Sequence, residues 1–246
     1  MKRIFDIFAS VFGLVLTGPI LLVFMFLVWR QDGFSPFYIA PRVGKAEKPF
    51  PMIKLRSMIK NADKSGVDST ASGDVRITRI GHLIRKFKLD ELTQLLNVLK
   101  GDMSLVGPRP NVARETNLYT NAEKQLLKLR PGITDFSSIV FADEGEILAD
   151  KNDPDLAYNQ IIRPGKSRLG LFYVTNRSFI MDIQLILLTI LAIISRQRAL
   201  RASASLLKRY GADDALVELA LRTTPLQPTP PPGAKHIVRN REGQTN

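Results

Sequence analysis

The stretch LDELTQLLNVLKGDMSLVGPRP, which runs from Leu89 to Pro110, carries the clearest pattern in the chain. Its leucines recur at spacings of three and four, at Leu89, Leu92, Leu96 and Leu99. This spacing places them on one face of a helix, and Gly101 is typical of a helix end. We therefore predict a helix over Asp90–Lys100, followed by a rigid Gly-Pro-Arg-Pro turn.

Asp90 and Glu91 open this predicted helix, and basic side chains lie on both sides of them. A carboxylate pair at a helix start is usually only a favourable partner for the helix dipole. Here, however, Arg85 precedes the pair and Arg109 follows it, and arginine binds phosphate oxygens with two donors at once. Carboxylates beside phosphate-binding cations are what metal-assisted phosphoryl transfer requires. The stretch predicts such a site, with Mg²⁺ neutralising a diphosphate and a carboxylate as nucleophile.

Composition narrows the classes of protein that fit. The chain has 246 residues, is 45% hydrophobic and has a formal net charge of +12. This charge favours a polyanionic partner, namely nucleic acid, an anionic membrane surface or a phosphate-rich substrate. The absence of cysteine excludes disulfides and thiolate metal sites. The two histidines, His82 and His236, are not in metal-ligand spacing.

The N-terminal segment is apolar, and no residue from Ile7 to Trp29 is charged. A run of this length can cross a hydrocarbon layer of about 30 Å as a helix, and it lacks the small-residue cleavage site of a signal peptide. Gly18-Pro19 at its centre predicts a kink. Basic residues flank both ends, which favours a hairpin that enters and leaves by one face. These residues alone support a re-entrant and a spanning helix about equally.

A small domain with short strands is expected after this segment. Strand-like pieces occur at Phe37–Ala40 and Met52–Leu55, and Lys64–Asp74 has the composition of a flexible loop. Further helices are predicted at Ile80–Phe87, Asn121–Leu129 and Ala157–Ile162. The fold class that follows is α+β and mainly helical.

A second apolar run, Phe179–Ser195, has an uncharged core too short to span a membrane. It suits an interfacial amphipathic helix or, alternatively, a core helix of the domain. After residue 198 the composition changes, with helices predicted at Ala202–Leu207 and Asp213–Leu221. The tract Pro225–Pro232 cannot form regular helix or sheet, and we expect the end of the chain to be disordered.

Several short motifs follow one another along the chain: Lys2-Arg3-Ile4-Phe5-Asp6, Arg42-Val43-Gly44, Lys54-Leu55-Arg56-Ser57-Met58, Arg76-Ile77-Thr78-Arg79-Ile80-Gly81, Leu89-Asp90-Glu91-Leu92, the block from Asn97 to Pro110, and Pro131-Gly132-Ile133-Thr134. In this order they resemble the motifs of the monotopic phosphoglycosyl transferases, the bacterial sugar transferases that start polysaccharide or glycoprotein glycan assembly. The long block up to Pro110 is the most specific of them. The resemblance covers roughly Lys2 to Ser195, and the chain beyond Arg196 has no recognised counterpart in the family.

The resemblance implies a re-entrant membrane helix over residues 1–33, kinked at Gly18 and Pro19, a cytoplasmic catalytic domain over 34–198, and an extension over 199–246. Asp90 would attack the β-phosphorus of a UDP-sugar, hold Mg²⁺ and carry the phosphosugar. Glu91 would act as a base or activate the incoming polyprenyl phosphate. Arg85 and Arg109 are assigned to substrate phosphate, with Lys54 and Arg56 as weaker candidates.

The expected partners are a UDP-sugar, polyprenyl (undecaprenyl) phosphate, the bacterial membrane and downstream glycosyltransferases, with no nucleic acid. The expected location is the inner (cytoplasmic) membrane, with the catalytic domain on its cytoplasmic face. Two positions depart from the family pattern, since Gly18-Pro19 replaces a common Ser-Pro and Thr93 replaces a usual proline. The competing interpretations are a basic binding module anchored in the membrane and a scaffold without activity.

Overall fold

The computed structural model describes residues 1–62, 69–71 and 73–240 and shows a mostly helical chain with a few short strands, as predicted. The α-helices of this part are α1 Lys2–Asp32, α2 Arg79–Lys86, α3 Leu89–Leu92, α4 Leu95–Lys100, α5 Ala113–Asn117, α6 Phe136–Val140, α7 Glu144–Ile147, α8 Pro154–Ala157, α9 Arg163–Asn176, α10 Phe179–Ile194, α11 Arg196–Arg209 and α12 Asp214–Leu221. Most of the predicted loop Lys64–Asp74 lies outside the described residues, as does the end of the chain after residue 240.

Two small sheets support the helices. Strands β1, Phe37–Val43, and β2, Pro49–Leu55, pair antiparallel and extend both predicted strands. Strands β3, Ser104–Val106, and β4, Gly132–Thr134, pair in parallel. This second sheet was not predicted, because three residues are too few to show a strand period. A Cβ on Gly132 would lie 2.1 Å from the Gly107 nitrogen, so the close approach at the end of β3 requires glycine.

The helix predicted over Asp90–Lys100 is instead two short helices, α3 and α4. Lys88 adopts a left-handed conformation, with φ of 52°, just before α3. The Thr93 hydroxyl, between the two helices, lies 3.1 Å from the carbonyl oxygen of Ile53 in β2. Asn97 of α4 is fully buried and donates its side-chain amide to the Pro51 carbonyl at 2.8 Å. The side chains of Thr93 and Asn97 therefore bind this segment to β2, which periodicity alone does not reveal.

The remaining predicted helices differ mainly in type. The helix expected over Asn121–Leu129 is a 3₁₀-helix, Glu123–Lys128. The one expected over Ala157–Ile162 is the end of α8 followed by a π-helical turn, Tyr158–Ile162. Helices are confirmed at the predicted positions of α2, α10, α11 and α12.

Both ends of α1 are attached to the same domain. At its start, Asp6 is 3% exposed and accepts a hydrogen bond from the Ser104 hydroxyl at 2.8 Å. Lys2 forms an ion pair with Asp182 of α10 at 2.5 Å. At its other end, Asp32 binds the Arg56 guanidinium at 2.5 Å. These contacts, with Arg3 donating to two carbonyls of α4, explain the Lys2–Asp6 motif, to which the sequence assigned no role.

Helix α1 continues through Gly18 and Pro19 without a break in secondary structure. Thr17, two residues before the proline, donates its hydroxyl to the Gly13 carbonyl at 2.7 Å. No other helix of the described residues is long and apolar enough to cross a membrane. One side of α1 packs on α2, α3 and β2, while the other side exposes large apolar side chains: Phe8, Phe12, Val15, Leu16, Ile20, Leu22, Val23 and Phe26.

Helix α10, which forms the second apolar run, has one buried and one exposed apolar side. Met181 and Leu185 are buried in the main core, beneath α6 and α11. The opposite side exposes Ile180, Leu187, Ile190 and Ile194. The ring of Phe179, at its start, meets that of Phe5 edge-on at a centroid distance of 5.2 Å, so α10 begins against the start of α1.

The C-terminal extension shares the main core rather than standing apart from the domain. Leu200, Leu207 and Leu216 are buried in the same cluster as Phe136 and Leu169. Residues 223–240 form no regular helix or strand, as expected for the proline-rich tract. Disorder was also expected for the tail, but the described part of it makes defined hydrogen bonds with the domain.

Candidate active site

Asp90 and Glu91 lie side by side at the start of α3, each facing a different cation. The Asp90 Oδ2 atom is 3.7 Å from the Lys54 Nζ atom. The Glu91 Oε1 atom accepts a hydrogen bond from Arg109 Nη2 at 3.0 Å. Both carboxylate side chains are 15% exposed. The structure therefore brings together Lys54, Asp90, Glu91 and Arg109 from three separate segments of the sequence.

Packing around α3 holds Asp90 and Glu91, the Asp90–Glu91 dyad, in place. Leu89 and Leu92, which flank Asp90 and Glu91, contact Leu21 and Val28 of α1. The Thr93 hydroxyl also lies 3.1 Å from the Asp90 carbonyl oxygen, so this residue ties the dyad to β2 where the family usually has proline. The dyad is consequently held between the long apolar helix and the strand that carries Lys54.

Burial is the largest influence on the Asp90–Lys54 pair. It raises the pKa of Asp90, although the charge of Lys54 opposes the rise and that of Glu91 adds to it. Burial also lowers the pKa of Lys54, against the charge of Asp90. Desolvation disfavours the charged form of both Asp90 and Lys54. A charged substrate that binds beside this pair would therefore shift its protonation equilibrium readily.

Glu91 behaves differently from Asp90. Burial by itself would raise the pKa of Glu91, but Arg109, Lys88 and Lys54 outweigh burial and lower the pKa to about 2. The Glu91 charge in turn raises the pKa of Arg109. Two adjacent carboxyl groups with opposite shifts are suited to different roles, with Glu91 permanently ionised.

The other two predicted phosphate ligands have different surroundings. Arg85 donates from Nε to the Ser57 hydroxyl at 3.0 Å, and its charge acts on Asp90; burial lowers the pKa of Arg85 against the charge of Asp90. Arg56, by contrast, binds Asp32 with two nitrogens and donates to the Ser35 carbonyl at 2.8 Å. The structure thus does not bring Arg56 to the dyad, because its guanidinium joins the end of α1 to β2.

A narrow polar cleft continues from Arg109 into the domain and leaves about 20 Å³ of space, which is room for about one water molecule. Its lining is mostly polar or aromatic: Arg109, Asn111, Tyr119, Asp135, Ser137, Tyr158, Arg163, Lys166 and Ser167. Lys166 forms an ion pair with Glu144, whose pKa is lowered by Lys166 and Arg109 in spite of burial. Sequence analysis missed these residues, since they lie scattered over nearly sixty positions without a motif.

The comparison with known proteins supplies the family. The family model described as bacterial sugar transferase matches residues 1–196. An uncharacterized sugar transferase of Bacillus subtilis is 37% identical over 77% of this chain and 85% of its own length. An exopolysaccharide production protein of Sinorhizobium fredii is 33% identical over 78% of this chain and 84% of its own.

A larger relative carries a more specific name. It is a UDP-N-acetylgalactosamine-undecaprenyl-phosphate N-acetylgalactosaminephosphotransferase of Aeromonas hydrophila, 33% identical over 79% of this chain but only 44% of its own length. These matches confirm the resemblance found in the motifs and cover both the dyad and the apolar helix. The chain therefore belongs to the bacterial sugar transferase family and is an enzyme.

Proposed function

We propose that this enzyme transfers a sugar 1-phosphate from a UDP-sugar to polyprenyl (undecaprenyl) phosphate, releasing UMP. The observation that carries the proposal is the buried Asp90–Glu91 dyad, surrounded by Lys54, Arg85 and Arg109 and packed against an apolar helix. Donor and acceptor both carry phosphate, which these cations suit. The names of two relatives, which specify undecaprenyl phosphate with N-acetylgalactosamine or with galactose, support the same chemistry. The expected pathway is the first membrane step of exopolysaccharide, O-antigen, capsule or glycoprotein glycan synthesis.

In the first half-reaction, an Asp90 carboxylate oxygen bonds to the β-phosphorus of the donor. The bond from that phosphorus to the oxygen bridging the α- and β-phosphates breaks, and UMP leaves with its electron pair. Lys54 and Arg85, both next to Asp90, are placed to offset the negative charge that develops. Asp90 must be ionised to attack, and Lys54 at 3.7 Å favours this form against the effect of burial.

In the second half-reaction, an oxygen of polyprenyl phosphate attacks the same phosphorus and the Asp90–phosphorus bond breaks. The acceptor is a phosphate monoester with a second pKa near 6, so it is already largely ionised at neutral pH. A strong base is not needed, and Glu91, with its pKa near 2, would be a weak one. We therefore assign Glu91 to activating the acceptor through its ion pair with Arg109 rather than to accepting a proton.

The dyad fits a magnesium ion shared with the substrate. Mg²⁺ commonly takes one or two carboxylates plus substrate phosphates instead of a cage of protein ligands. Asp90 offers such a carboxylate, and no group of three or more acidic or histidine side chains that could hold a metal occurs among residues 1–62, 69–71 and 73–240. When bound, the ion would neutralise diphosphate oxygens.

We further propose that α1 enters the membrane from the cytoplasmic side and returns, with the catalytic domain on that face of the inner membrane. Helix α1 has 31 residues, a length of about 46 Å, yet both of its ends bind the domain. The exposed apolar sides of α1 and α10 suit the lipid phase, where contiguous apolar surfaces of this size belong. A spanning helix would have to break the Lys2–Asp182 or the Asp32–Arg56 pair.

Cysteine labelling tests this topology against a background without native cysteine. A cysteine inserted after Met1 and one at Gln31→Cys are expected to react with a membrane-impermeant maleimide from the same, cytoplasmic side. Lys235→Cys, at an exposed position of the domain, is the matched control for that side. Labelling of the two helix ends from opposite sides would establish a spanning anchor instead.

The activity is tested by UMP release. Purified enzyme with Mg²⁺, polyprenyl phosphate and a panel of UDP-sugars, including the galactose and N-acetylgalactosamine forms, is expected to release UMP with at least one. Without the lipid, release should stop near one UMP per enzyme, because the phosphosugar stays on Asp90. If no donor gives UMP, the proposed reaction is refuted. Release that continues without the lipid would exclude transfer to polyprenyl phosphate.

A further inference from the structure

Helix α11 carries a row of basic side chains on its exposed side. All of its residues except Arg196 lie beyond the region that the family model matches. The row recurs mainly at spacings of three and four residues, which places it on one side of the helix. We call it the basic stripe, and its members are all exposed: Arg198, Arg201, Ser205, Lys208 and Arg209. Helix α11 contains no acidic residue.

The cations of the basic stripe are unpaired in the part of the chain that the structure describes. No carboxylate there forms an ion pair with Arg198, Arg201, Lys208 or Arg209. Arg196 differs from them, since its Nη2 atom lies 2.8 Å from Asp143. A row of exposed cations without acidic partners on the protein favours an external polyanion.

The basic stripe lies on a helix that packs alongside α10. The Tyr210 hydroxyl, just after α11, donates to the side-chain oxygen of Gln184 in α10 at 3.1 Å. Helix α11 therefore runs back along α10 from the bend at Ser195. Asp182, two positions before Gln184, binds Lys2 of α1. Residues two positions apart on a helix point in nearly opposite directions, so α1 and α11 lie on opposite flanks of α10.

Helices α10 and α11 also bury one side each in the same core. Leu185 of α10 and Leu200 and Leu207 of α11 belong to one buried cluster. Two helices that lie side by side on one core expose their remaining sides in the same general direction. The basic stripe therefore adjoins the exposed apolar side of α10, which includes Ile190 and Ile194.

Three successive helices change in character from apolar to basic to acidic. Helix α10 has a single charged residue, Asp182, which is buried. Helix α11 follows with cations as its only charged residues. Helix α12 has no basic residue, and its exposed charges are Asp214 and Glu218. This order matches the layers of an anionic membrane, namely hydrocarbon, negatively charged headgroups and water.

We infer that the basic stripe binds the phosphate headgroups of anionic lipids and is a second attachment of the domain to the membrane, beside α1. The inference rests on the proposed membrane contact of α1 and α10 and gives the C-terminal extension a part in it. An anionic membrane surface attracts arginine and lysine within about 10 Å at 0.1 M salt. The charge alone would suit any polyanion, but the adjoining apolar side of α10 favours a lipid surface over a nucleic acid or an acidic protein.

Single cysteines in the full chain, which has none of its own, test the inference. Each carries a small environment-sensitive fluorophore, and the positions are Ser205→Cys in the basic stripe, Ile190→Cys on the exposed side of α10 and Ala215→Cys at an exposed position of α12. The protein is placed in nanodiscs of phosphatidylcholine alone, or of phosphatidylcholine and phosphatidylglycerol in equal parts.

The label at position 205 should shift to shorter emission wavelength only where phosphatidylglycerol is present. The shift should disappear when salt is raised to about 1 M, because charges are then screened within about 3 Å. The label at position 190 should report lipid in both kinds of nanodisc, and the label at position 215 should report water in both.

Neutral variants of the basic stripe provide the matched comparison. Arg198→Gln, Arg201→Gln and Lys208→Gln together should remove most of the shift at position 205, because each basic side chain contributes about fivefold to the attraction by an anionic surface. The control removes the same charge by replacing three exposed lysines outside the extension with glutamine: Lys45, Lys48 and Lys124. It should leave the shift unchanged, and both triple variants should keep the melting temperature of the wild type by circular dichroism.

An undiminished shift in the triple variant of the basic stripe would overturn the inference, and so would an equal shift in both lipid compositions. It would also be overturned by a label at position 205 that reports water throughout while the label at position 190 reports lipid. A label at position 190 that reports water would instead refute the proposed membrane contact of α10 itself.

Discussion

Asp90→Asn is expected to reduce UMP release at least about a thousandfold, the scale on which loss of a covalent nucleophile acts. The asparagine side chain has nearly the same shape but cannot form the bond to the β-phosphorus. The measurement is single-turnover incubation with donor labelled in the sugar phosphate. Wild-type enzyme without lipid acceptor should retain label on the protein, and Asp90→Asn should retain none.

Glu91→Gln is the informative companion to this variant. It should also lose steady-state turnover, yet still form the labelled adduct, because Glu91 is assigned to the acceptor step. Asp214→Asn, an exposed acidic position on α12, is the control for removing one negative charge. Full turnover in Asp90→Asn would refute the covalent mechanism, and loss of the adduct in Glu91→Gln would move that residue to the first step.

Glu123→Ala is expected to lower the free energy of unfolding by about 3–5 kcal/mol, because it leaves the buried charge of Arg163 without a counter-charge. The Arg163 and Glu123 side chains are 2% and 0% exposed and lie 2.5 Å apart. Glu123 also accepts hydrogen bonds from the Ser167 hydroxyl at 2.6 Å and the Thr120 backbone at 3.0 Å. Chemical denaturation of the purified protein, followed by circular dichroism, gives the loss.

The matched control removes both charges at once. Glu123→Leu with Arg163→Met should recover most of the stability, since replacing a buried ion pair by apolar side chains is often nearly neutral. In the wild type, Glu123 of the 3₁₀-helix and Arg163 of α9 form a buried ion pair between these two elements. A double variant as unstable as Glu123→Ala would mean that shape and hydrogen bonding, rather than the unpaired charge, cause the loss.

The sequence predicted the dyad and its flanking arginines because they are close together in the chain and their chemistry is local. It also predicted most helices, since a period of three to four residues needs no knowledge of neighbours. It could not show that Thr93 and Asn97 are buried against β2, because their partners are some forty residues away. For that reason one helix was expected where α3 and α4 are separate.

Distance along the chain also explains why the different surroundings of Lys54 and Arg56 could not be predicted. Lys54 and Arg56 are two positions apart and had equal standing as phosphate ligands. The alternation of residues along a strand does not reveal that Asp32, at the end of α1, forms an ion pair with the Arg56 guanidinium. Lys166, which lines the cleft, and its ion-pair partner Glu144 lie 22 positions apart and meet only after α7 and α9 have packed.

The ion pair between Lys2 and Asp182 sets an order of events during synthesis. The two partners are 180 positions apart, and ribosomes add about 5–20 residues per second. Lys2 is thus made roughly 10–40 s before the carboxylate to which it binds. On the proposed topology, an early insertion of α1 across the bilayer would therefore have to remain reversible until α10 has been made.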